Sequence, residues 1–165
     1  MTGLDDAYAV ETPDDNRTLY RGWAATYEDD FVRPRGYVYH ENVAALFARQ
    51  QNRRDQLVLD VGCGTGIVGE ALRALGQKRI DGLDLSPEML ARAADKRVYA
   101  RLIEADLTQE IPLADGVYDG VVSAGTFTHG HVGPGALVEL LRVATAGAQF
   151  ALGINAGHFE QHGFA

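Results

Sequence analysis

The chain has 165 residues, a length typical of one domain, and its 46% apolar residues with only 5 prolines exclude collagenous, coiled-coil and wholly disordered proteins. Acidic residues outnumber basic ones by 23 to 15, which gives a formal net charge of −8 at pH 7. A surface of this charge repels phosphate backbones and anionic lipids, so we expect neither a nucleic-acid partner nor a membrane partner.

The cysteine content and the N-terminus indicate where the protein is expected to reside. The single cysteine, Cys63, cannot form an intrachain disulfide. Residues 1–15 are acidic and lack the basic and apolar segments of a secretory signal, and no apolar run reaches the roughly 18 residues of a membrane span. We therefore expect a cytoplasmic protein in which residues 1–15 form a partly ordered arm.

Two helices are predicted in the N-terminal third from the spacing of apolar residues. The first runs from Asn16 to about Phe31, and its apolar residues, spaced by four, are Leu19, Trp23 and Tyr27. The second follows Pro34 and runs from about Gly36 to Gln51. Its predicted apolar face consists of Tyr39, Val43, Leu46 and Phe47.

From Leu57 onward, short apolar runs alternate with amphipathic helices. The five candidate strands are Leu57–Val61, Arg79–Asp84, Ala100–Glu104, Tyr118–Ser123 and Gln149–Ile154. The last predicted helix carries Leu137, Leu140, Leu141 and Ala144 on one face. This alternation predicts one α/β domain over residues 16–165, with helices or a lid at 16–52 and a core at 57–154. The core is expected to be a Rossmann-like, mostly parallel sheet with helices on both faces.

The first predicted strand ends in a glycine-rich turn, in the sequence LVLDVGCGTG at residues 57–66. Glycines let the backbone turn tightly and approach a ligand, and the free amides at the next helix start attract polar ligand groups. Gly62, Gly64 and Gly66 have the spacing G-x-G-x-G, whereas nicotinamide- and flavin-binding domains use G-x-G-x-x-G. The alternative is an ordinary glycine-rich turn that binds nothing.

Acidic residues accompany three successive strands. Asp60 precedes the glycine turn, where a carboxylate disfavours a diphosphate but suits an ammonium group. Asp84 ends the second strand, where it can accept both ribose hydroxyls or, alternatively, cap the helix after Ser86. Asp106 follows the third strand. Together they indicate a crevice for a nucleoside that carries a cation and no phosphate, and S-adenosylmethionine is such a ligand.

Three segments together resemble the class I S-adenosylmethionine-dependent methyltransferases. LDVGCGTG, IDGLDLSPEML and IEADLTQEIPLADGVYDGVVSAG follow the family's motifs in order and spacing, and the resemblance covers roughly residues 57–154. More narrowly, YRGWAATYEDDF and SAGTFTHGHVG resemble the Williams–Beuren-region methyltransferase-like group. The resemblance implies transfer of a methyl group from S-adenosylmethionine to an unidentified acceptor, which the acidic charge leads us to expect is a small molecule.

The resemblance also implies roles for the matching residues. Gly62 and Gly64 would pack against the methionine part of the cofactor, with Asp60 near its ammonium group. Asp84 would hold the ribose, and Ser123 would contribute a backbone carbonyl at the methionine end.

At the other end of the cofactor, the resemblance implies that Leu85 and Met89 enclose the adenine, while Asp106 and the Leu107 amide contact its polar edge. Met89 has an ordinary core residue as its alternative role. Related enzymes place an N-terminal lid at the position of three aromatic residues, Tyr20, Trp23 and Tyr27.

Histidines follow the fourth predicted strand, at the sheet edge where substrates of open α/β sheets bind. His129 or His131 is a candidate base that deprotonates the acceptor, although in-line positioning alone can suffice for methyl transfer. Together with His158 and His162 these histidines suggest a metal site, but no acidic residue is interleaved as in the H-E-x-x-H motif, so we expect no metal. Cys63 has no nearby base in the sequence and is expected to be unreactive.

Two other functions stay open, a non-catalytic S-adenosylmethionine-binding module and a nucleotide-dependent oxidoreductase. Related enzymes continue after the fifth strand with a helix and a two-stranded hairpin, one strand of which pairs with the fifth strand. Residues 155–165 are too few to form them, so the fifth strand is expected to lie at the sheet edge. We therefore expect a truncated form with the hairpin missing, or an apolar edge strand that is covered by the tail or by a second copy in a homodimer.

Overall fold

The computed structural model describes residues 18–19, 21–32, 36, 38–51, 53–128, 132–161 and 163–164. The predicted arm at residues 1–15 lies outside this range, as do Tyr20, His129, His131 and His162. Among the described residues, no helix combines the length and the apolar character that crossing a membrane requires.

Five strands form one sheet: β1 (Leu57–Val61), β2 (Arg79–Asp84), β3 (Arg101–Glu104), β4 (Tyr118–Phe127) and β5 (Ala144–Ile154). Their order in the sheet is β3-β2-β1-β4-β5, and every neighbouring pair is parallel. All carboxyl ends therefore meet at one edge of the sheet. The strand order reverses between β1 and β4, which is where ligands of open α/β sheets bind.

Helices cover both faces of this sheet, as predicted. They are α1 (Tyr39–Gln50), α2 (Ile67–Ala74), α3 (Pro87–Asp95), α4 (Ala136–Val143) and α5 (Ala156–Gln161). On one face, Phe47 of α1 and Leu72 of α2 pack against apolar residues of β1, β2 and β4. On the other, Leu140 and Val143 of α4 pack against β1 and β4. The fold is the predicted Rossmann-like α/β domain.

The first predicted helix is not continuous. Residues 18–19 and 21–23 are helical, a turn follows at residues 24–26, and Glu28–Val32 form a π-helix. In α1 the predicted apolar face is also partly wrong, because Tyr39 and Leu46 are 37% and 42% exposed. The ring of Phe47 occupies the space that a Cβ on Gly120 of β4 would need. This contact sets the rotation of α1 and turns the adjacent Leu46 towards solvent.

The last two strands are longer than predicted. β4 continues past Ser123 to Phe127, and β5 begins at Ala144, so Ala144 belongs to a strand and not to the preceding helix. The extension of β4 contains an irregular step in its pairing with β5, at which Gly125 adopts a φ of 87°. Sequence alternation does not reveal a strand that continues through such an irregularity.

β5 lies at the sheet edge, as predicted, and its sequence ATAGAQFALGI has no charged side chain. The C-terminal residues pack against the carboxyl end of β4, where the ring centroids of Phe164 and Phe127 are 5.9 Å apart. A second copy of the chain across the β5 edge stays a prediction.

Candidate active site

A cavity that is open to solvent lies at the carboxyl ends of β1 to β4. The cavity wall includes many of the predicted site residues: Tyr27, Gly62, Gly64, Asp84, Leu85, Met89, Asp106 and Leu107. The sequence did not predict three hydroxyl-bearing residues that also line it, Thr65, Thr108 and Thr126.

The glycine turn after β1 forms one wall and needs glycine for two reasons. Gly62 and Gly64 have φ angles of 65° and 53°, a region that other residues rarely adopt. A Cβ on Gly62 would in addition overlap Thr126 Oγ1. That hydroxyl donates to the carbonyl of Val61 at 3.0 Å, as does the hydroxyl of Ser123 at 2.7 Å. The end of β4 therefore holds the turn in place.

Asp84 joins the second strand to this turn. Its Oδ2 atom accepts a hydrogen bond from the Gly64 N–H at 2.8 Å, and its Oδ1 atom accepts one from the Ser86 N–H at 2.9 Å. Burial raises the pKa of Asp84, and the backbone donors oppose this shift. The side-chain cap of α3 is Ser86, whose hydroxyl accepts from the Met89 N–H at 3.2 Å. Asp84 is thus not the residue that caps the helix.

Asp106 and the apolar residues around it form the opposite end of the cavity. The Oδ1 atom of Asp106 accepts hydrogen bonds from the backbone and the hydroxyl of Thr108, at 2.8 and 2.7 Å. Met89 and Leu107 are buried residues that reach the cavity wall. This end therefore combines a carboxylate with apolar walls, which suits a flat heterocycle with one polar edge.

Asp60, Trp23 and Ser123 are not among the residues of the cavity wall. Asp60 is completely buried, and its Oδ2 atom accepts a hydrogen bond from the Tyr99 hydroxyl at 2.6 Å. Burial raises the pKa of Asp60 to about 7. Trp23 is only 1% exposed and packs edge-on against Tyr27, so of these two aromatic residues Tyr27 reaches the cavity and Trp23 belongs to the core.

Ion pairs attach the N-terminal segment that carries Tyr27 to the rest of the domain. Arg21 Nε lies 3.0 Å from Glu88 Oε1 at the start of α3. Lys96 Nζ lies 2.9 Å from Glu28 Oε1 and 2.5 Å from Glu70 Oε2, and only 14% of its side chain is exposed. One lysine thus links the π-helix to α2.

The described histidines, His40 and His158, and Cys63 do not belong to a metal site. Among the described residues, no group of three or more side chains that could hold a metal ion occurs. His158 is buried, and its Nε2 atom donates to the carbonyl of Val132 at 2.8 Å. Burial raises the pKa of Cys63 well above its ordinary value, which keeps this thiol protonated, in agreement with the expected lack of reactivity.

Comparison with known families agrees with this geometry. Residues 58–147 match the family model described as a methyltransferase domain. The chain belongs to this family. Methyltransferase-like protein 27 from Homo sapiens is 42% identical over 127 residues, which cover 74% of this chain and 51% of that protein. The 18S rRNA (guanine-N(7))-methyltransferase RID2 from Arabidopsis thaliana is 37% identical over 83 residues, covering 50% and 28%. The methyltransferase chain thus spans about half the length, or less, of these curated relatives.

A solved structure supports the same assignment. The TehB-like S-adenosylmethionine-dependent methyltransferase from Corynebacterium glutamicum superimposes with a TM-score of 0.67 at 27% identity, covering 86% of this chain and 75% of that chain. The methyltransferase domain is therefore of the S-adenosylmethionine-dependent class, and S-adenosylmethionine is its cofactor. The cavity fits this group, because the charged residues in its described wall, Asp84 and Asp106, are both acidic, and the glycine turn leaves the backbone accessible.

Proposed function

We propose that this methyltransferase transfers the methyl group of S-adenosylmethionine to a small-molecule acceptor. The observation that carries the proposal is the acidic cavity wall, which disfavours phosphate groups. It lies where the strand order of the sheet reverses, and its Asp84 is hydrogen-bonded to the glycine turn. Bound S-adenosylmethionine supplies a methyl group on a cationic sulfur, which an acceptor nucleophile takes by in-line displacement.

The role of the chain's own residues is to bind and orient. Each carboxylate oxygen of Asp84 accepts one backbone N–H and retains further lone pairs, which we assign to the two ribose hydroxyls. Asp106 uses Oδ1 for Thr108, so we assign Oδ2 and the Leu107 amide to the polar edge of the adenine. Leu85 and Met89 supply the apolar contact with the ring.

At the methionine end, the backbone of Gly62 and Gly64 approaches the cofactor closely because neither residue carries a Cβ. Asp60 lies beneath this turn, and we assign it an electrostatic effect on the ammonium group rather than a direct contact. Ser123 acts on the same region through its hydrogen bond to Val61. Tyr27 covers the cavity from the N-terminal segment.

For the acceptor, we propose His129 or His131 as the base when the nucleophile must lose a proton. In the sequence, both histidines lie between Thr126 and Val132, which line the cavity. Substitution of each histidine by Gln tests this role. The base is identified by a loss of the acid limb of the kcat–pH profile, whereas an unchanged profile assigns methyl transfer to positioning alone.

RNA is a second candidate acceptor, because several relatives are named as 18S rRNA methyltransferases. The comparisons therefore do not support the expectation, based on the net charge, that the protein has no nucleic-acid partner. We favour a small molecule because the described cavity wall has no cationic side chain to hold a phosphate backbone. We also propose membership of the Williams–Beuren-region methyltransferase-like group, which the 42% identity with Methyltransferase-like protein 27 supports.

The deciding experiment supplies S-adenosylmethionine labelled in its methyl group together with a metabolite extract or with rRNA. We expect S-adenosylhomocysteine to accumulate and the label to enter the small-molecule fraction. Asp84→Ala should reduce this turnover at a limiting cofactor concentration, and Asp55→Asn, at an exposed site outside the cavity, should not. Label in the rRNA would favour the second candidate. Cofactor binding without turnover on either acceptor would contradict methyl transfer and favour a binding module, and NAD binding would favour an oxidoreductase.

A further inference from the structure

Tyr99 lies between α3 and β3, and its ring packs close to three glycines. One glycine is in α2, one is at the N-cap of α2 and one is in β2. A Cβ on Gly69 of α2 would overlap the tyrosine ring and hydroxyl. On Gly66, at the N-cap of α2, and on Gly82, in β2, a Cβ would lie 3.0 and 3.1 Å from ring carbons. Glycine within a helix is costly, and its presence at Gly69 leaves room for this ring. At Gly82 a Cβ would also meet Leu102 and Cys63, and Gly66 has in addition a φ of 92°, so Gly69 is the glycine that Tyr99 itself requires.

The hydroxyl of Tyr99 reaches the centre of the sheet. It donates to Asp60 Oδ2 at 2.6 Å, and Asp60 is completely buried in β1, paired with β2 on one side and β4 on the other. Burial raises the pKa of Tyr99 well above its ordinary value, so the hydroxyl stays protonated and is always available as a donor. The hydrogen bond therefore joins the connection between α3 and β3 to β1, beneath the first turn of α2.

This first turn of α2 is also where the cofactor-binding loop ends. Gly66 donates its N–H to the carbonyl of Cys63 at 2.8 Å, and Gly64 donates to Asp84 at 2.8 Å. A displacement of the α2 start would move Gly66 and, through the short loop, the Gly62 and Gly64 backbone at the cavity wall. Small displacements of groups that bind a substrate are enough to lower affinity and rate substantially.

We propose that Tyr99 is a positioning residue for cofactor binding, and that it acts by holding the α2 start and the glycine turn through its hydrogen bond to Asp60. This role rests on the proposed function. In this arrangement Asp60 serves mainly to accept the hydrogen bond of Tyr99. Because Asp60 does not line the cavity, it acts on the cofactor from below the glycine turn.

The structure offers a matched control in a second buried tyrosine–aspartate pair. The hydroxyl of Tyr118 donates to Asp81 Oδ2 at 2.9 Å, and Asp81 is only 1% exposed. Tyr118 begins β4 and thus lies at the amino end of the sheet, opposite the cavity. Tyr99→Phe and Tyr118→Phe each remove one hydroxyl that donates to a buried aspartate and leave the ring in place; Tyr118→Phe also removes an acceptor of Arg101 Nη2.

The experiment measures the Kd for S-adenosylhomocysteine by calorimetry and the thermal unfolding midpoint for the wild-type chain and both variants. We expect a lower midpoint in both variants, but a roughly tenfold weaker Kd in Tyr99→Phe alone. Wild-type affinity in Tyr99→Phe, or equal weakening in Tyr118→Phe, would overturn the positioning role. Failure of the wild-type chain to bind S-adenosylhomocysteine would overturn the proposed function itself, and is thus distinguishable.

A double-mutant cycle tests the route through Asp60. If Tyr99 acts through this carboxylate, Asp60→Ala and Tyr99→Phe should each weaken binding, and the double variant should be no weaker than the worse single one within about twofold. Asp60→Asn retains an oxygen that accepts from Tyr99 and should restore most of the affinity lost in Asp60→Ala. Additive losses in the cycle would show that the two residues act independently and would overturn the proposed route.

Discussion

The Oδ2 atom of Asp84 lies 2.8 Å from the backbone nitrogen of Gly64, so the end of β2 is bonded directly to the turn that follows β1. This contact fixes two parts of the cavity wall relative to each other. It also orients the carboxylate, whose other oxygen is held by the Ser86 N–H. The site is thus preorganised by backbone donors, which reduces the entropic cost of binding.

The first prediction is that Asp84→Ala weakens S-adenosylhomocysteine binding by about 1–3 kcal/mol, because hydrogen bonds to a charged acceptor are lost and the Gly64 N–H is left without its partner. Calorimetry provides the measurement. Asp55→Asn, whose exposed carboxylate pairs with Arg53, serves as the control and should bind like the wild type. Wild-type affinity in Asp84→Ala would contradict the assignment of the ribose hydroxyls.

Much of this arrangement could be predicted from the sequence, because it depends on local signals. Strand ends in a parallel sheet meet at one edge, so Asp84 and Asp106 could be placed at the same sheet edge as the glycine turn without coordinates. The N-cap of α3 could also be predicted, since Ser86 followed by Pro87 is a strong helix-start signal. For these residues, position along the chain determined position in the fold.

Contacts between distant segments could not be predicted in this way. Tyr99 and Asp60 are 39 residues apart, and an isolated tyrosine before a short strand does not indicate its partner. The outward turn of Leu46 depends on Phe47 filling the space above Gly120 in β4. Glycines inside α2 and β2, at Gly69 and Gly82, were the available signal for a close approach, but they do not identify the approaching residue.

The second prediction concerns pH and stability. Burial raises the pKa of Asp60 from 3.8 to about 7, so between these values the folded chain holds a proton that the unfolded chain has released. The free energy of unfolding contributed by this group therefore falls as the pH rises from about 4 to about 7, by at most about 1.4 kcal/mol per pH unit.

Asp60→Asn isolates this effect, because other groups titrate in the same range. Burial lowers the pKa of His40, so its contribution is present above about pH 6.5 and lost as the pH falls, which is the opposite direction. Urea unfolding of both chains without cofactor should show that the stability of the wild type relative to Asp60→Asn is greater at pH 5.5 than at pH 7.5. A difference that does not change with pH would contradict the prediction.

The third prediction concerns the segment that carries Tyr27. Glu28 and Glu70 both pair with Lys96, but only Glu28 belongs to the N-terminal segment. Glu28→Gln should therefore loosen this segment and weaken cofactor binding about two- to fivefold, in keeping with the modest strength of a partly exposed ion pair. Glu70→Gln is the matched control and should leave the Kd for S-adenosylhomocysteine unchanged. Equal effects of the two variants would indicate that Lys96 stabilises the domain without covering the cavity.

The last prediction concerns the outer edge of β5. Parallel pairing satisfies one side of this strand, and its sequence has no charge to prevent another strand from pairing with the other side. We therefore expect the chain to associate as its concentration rises, measured by light scattering. Ala146→Lys, at an exposed position of β5, should reduce this association, because an edge lysine resists strand pairing. Leu141→Lys, on the exposed side of α4, tests whether an apolar helix surface causes the association instead. A wild-type chain that stays monomeric at all concentrations would contradict pairing at this edge, and loss of association only in Leu141→Lys would assign it to α4.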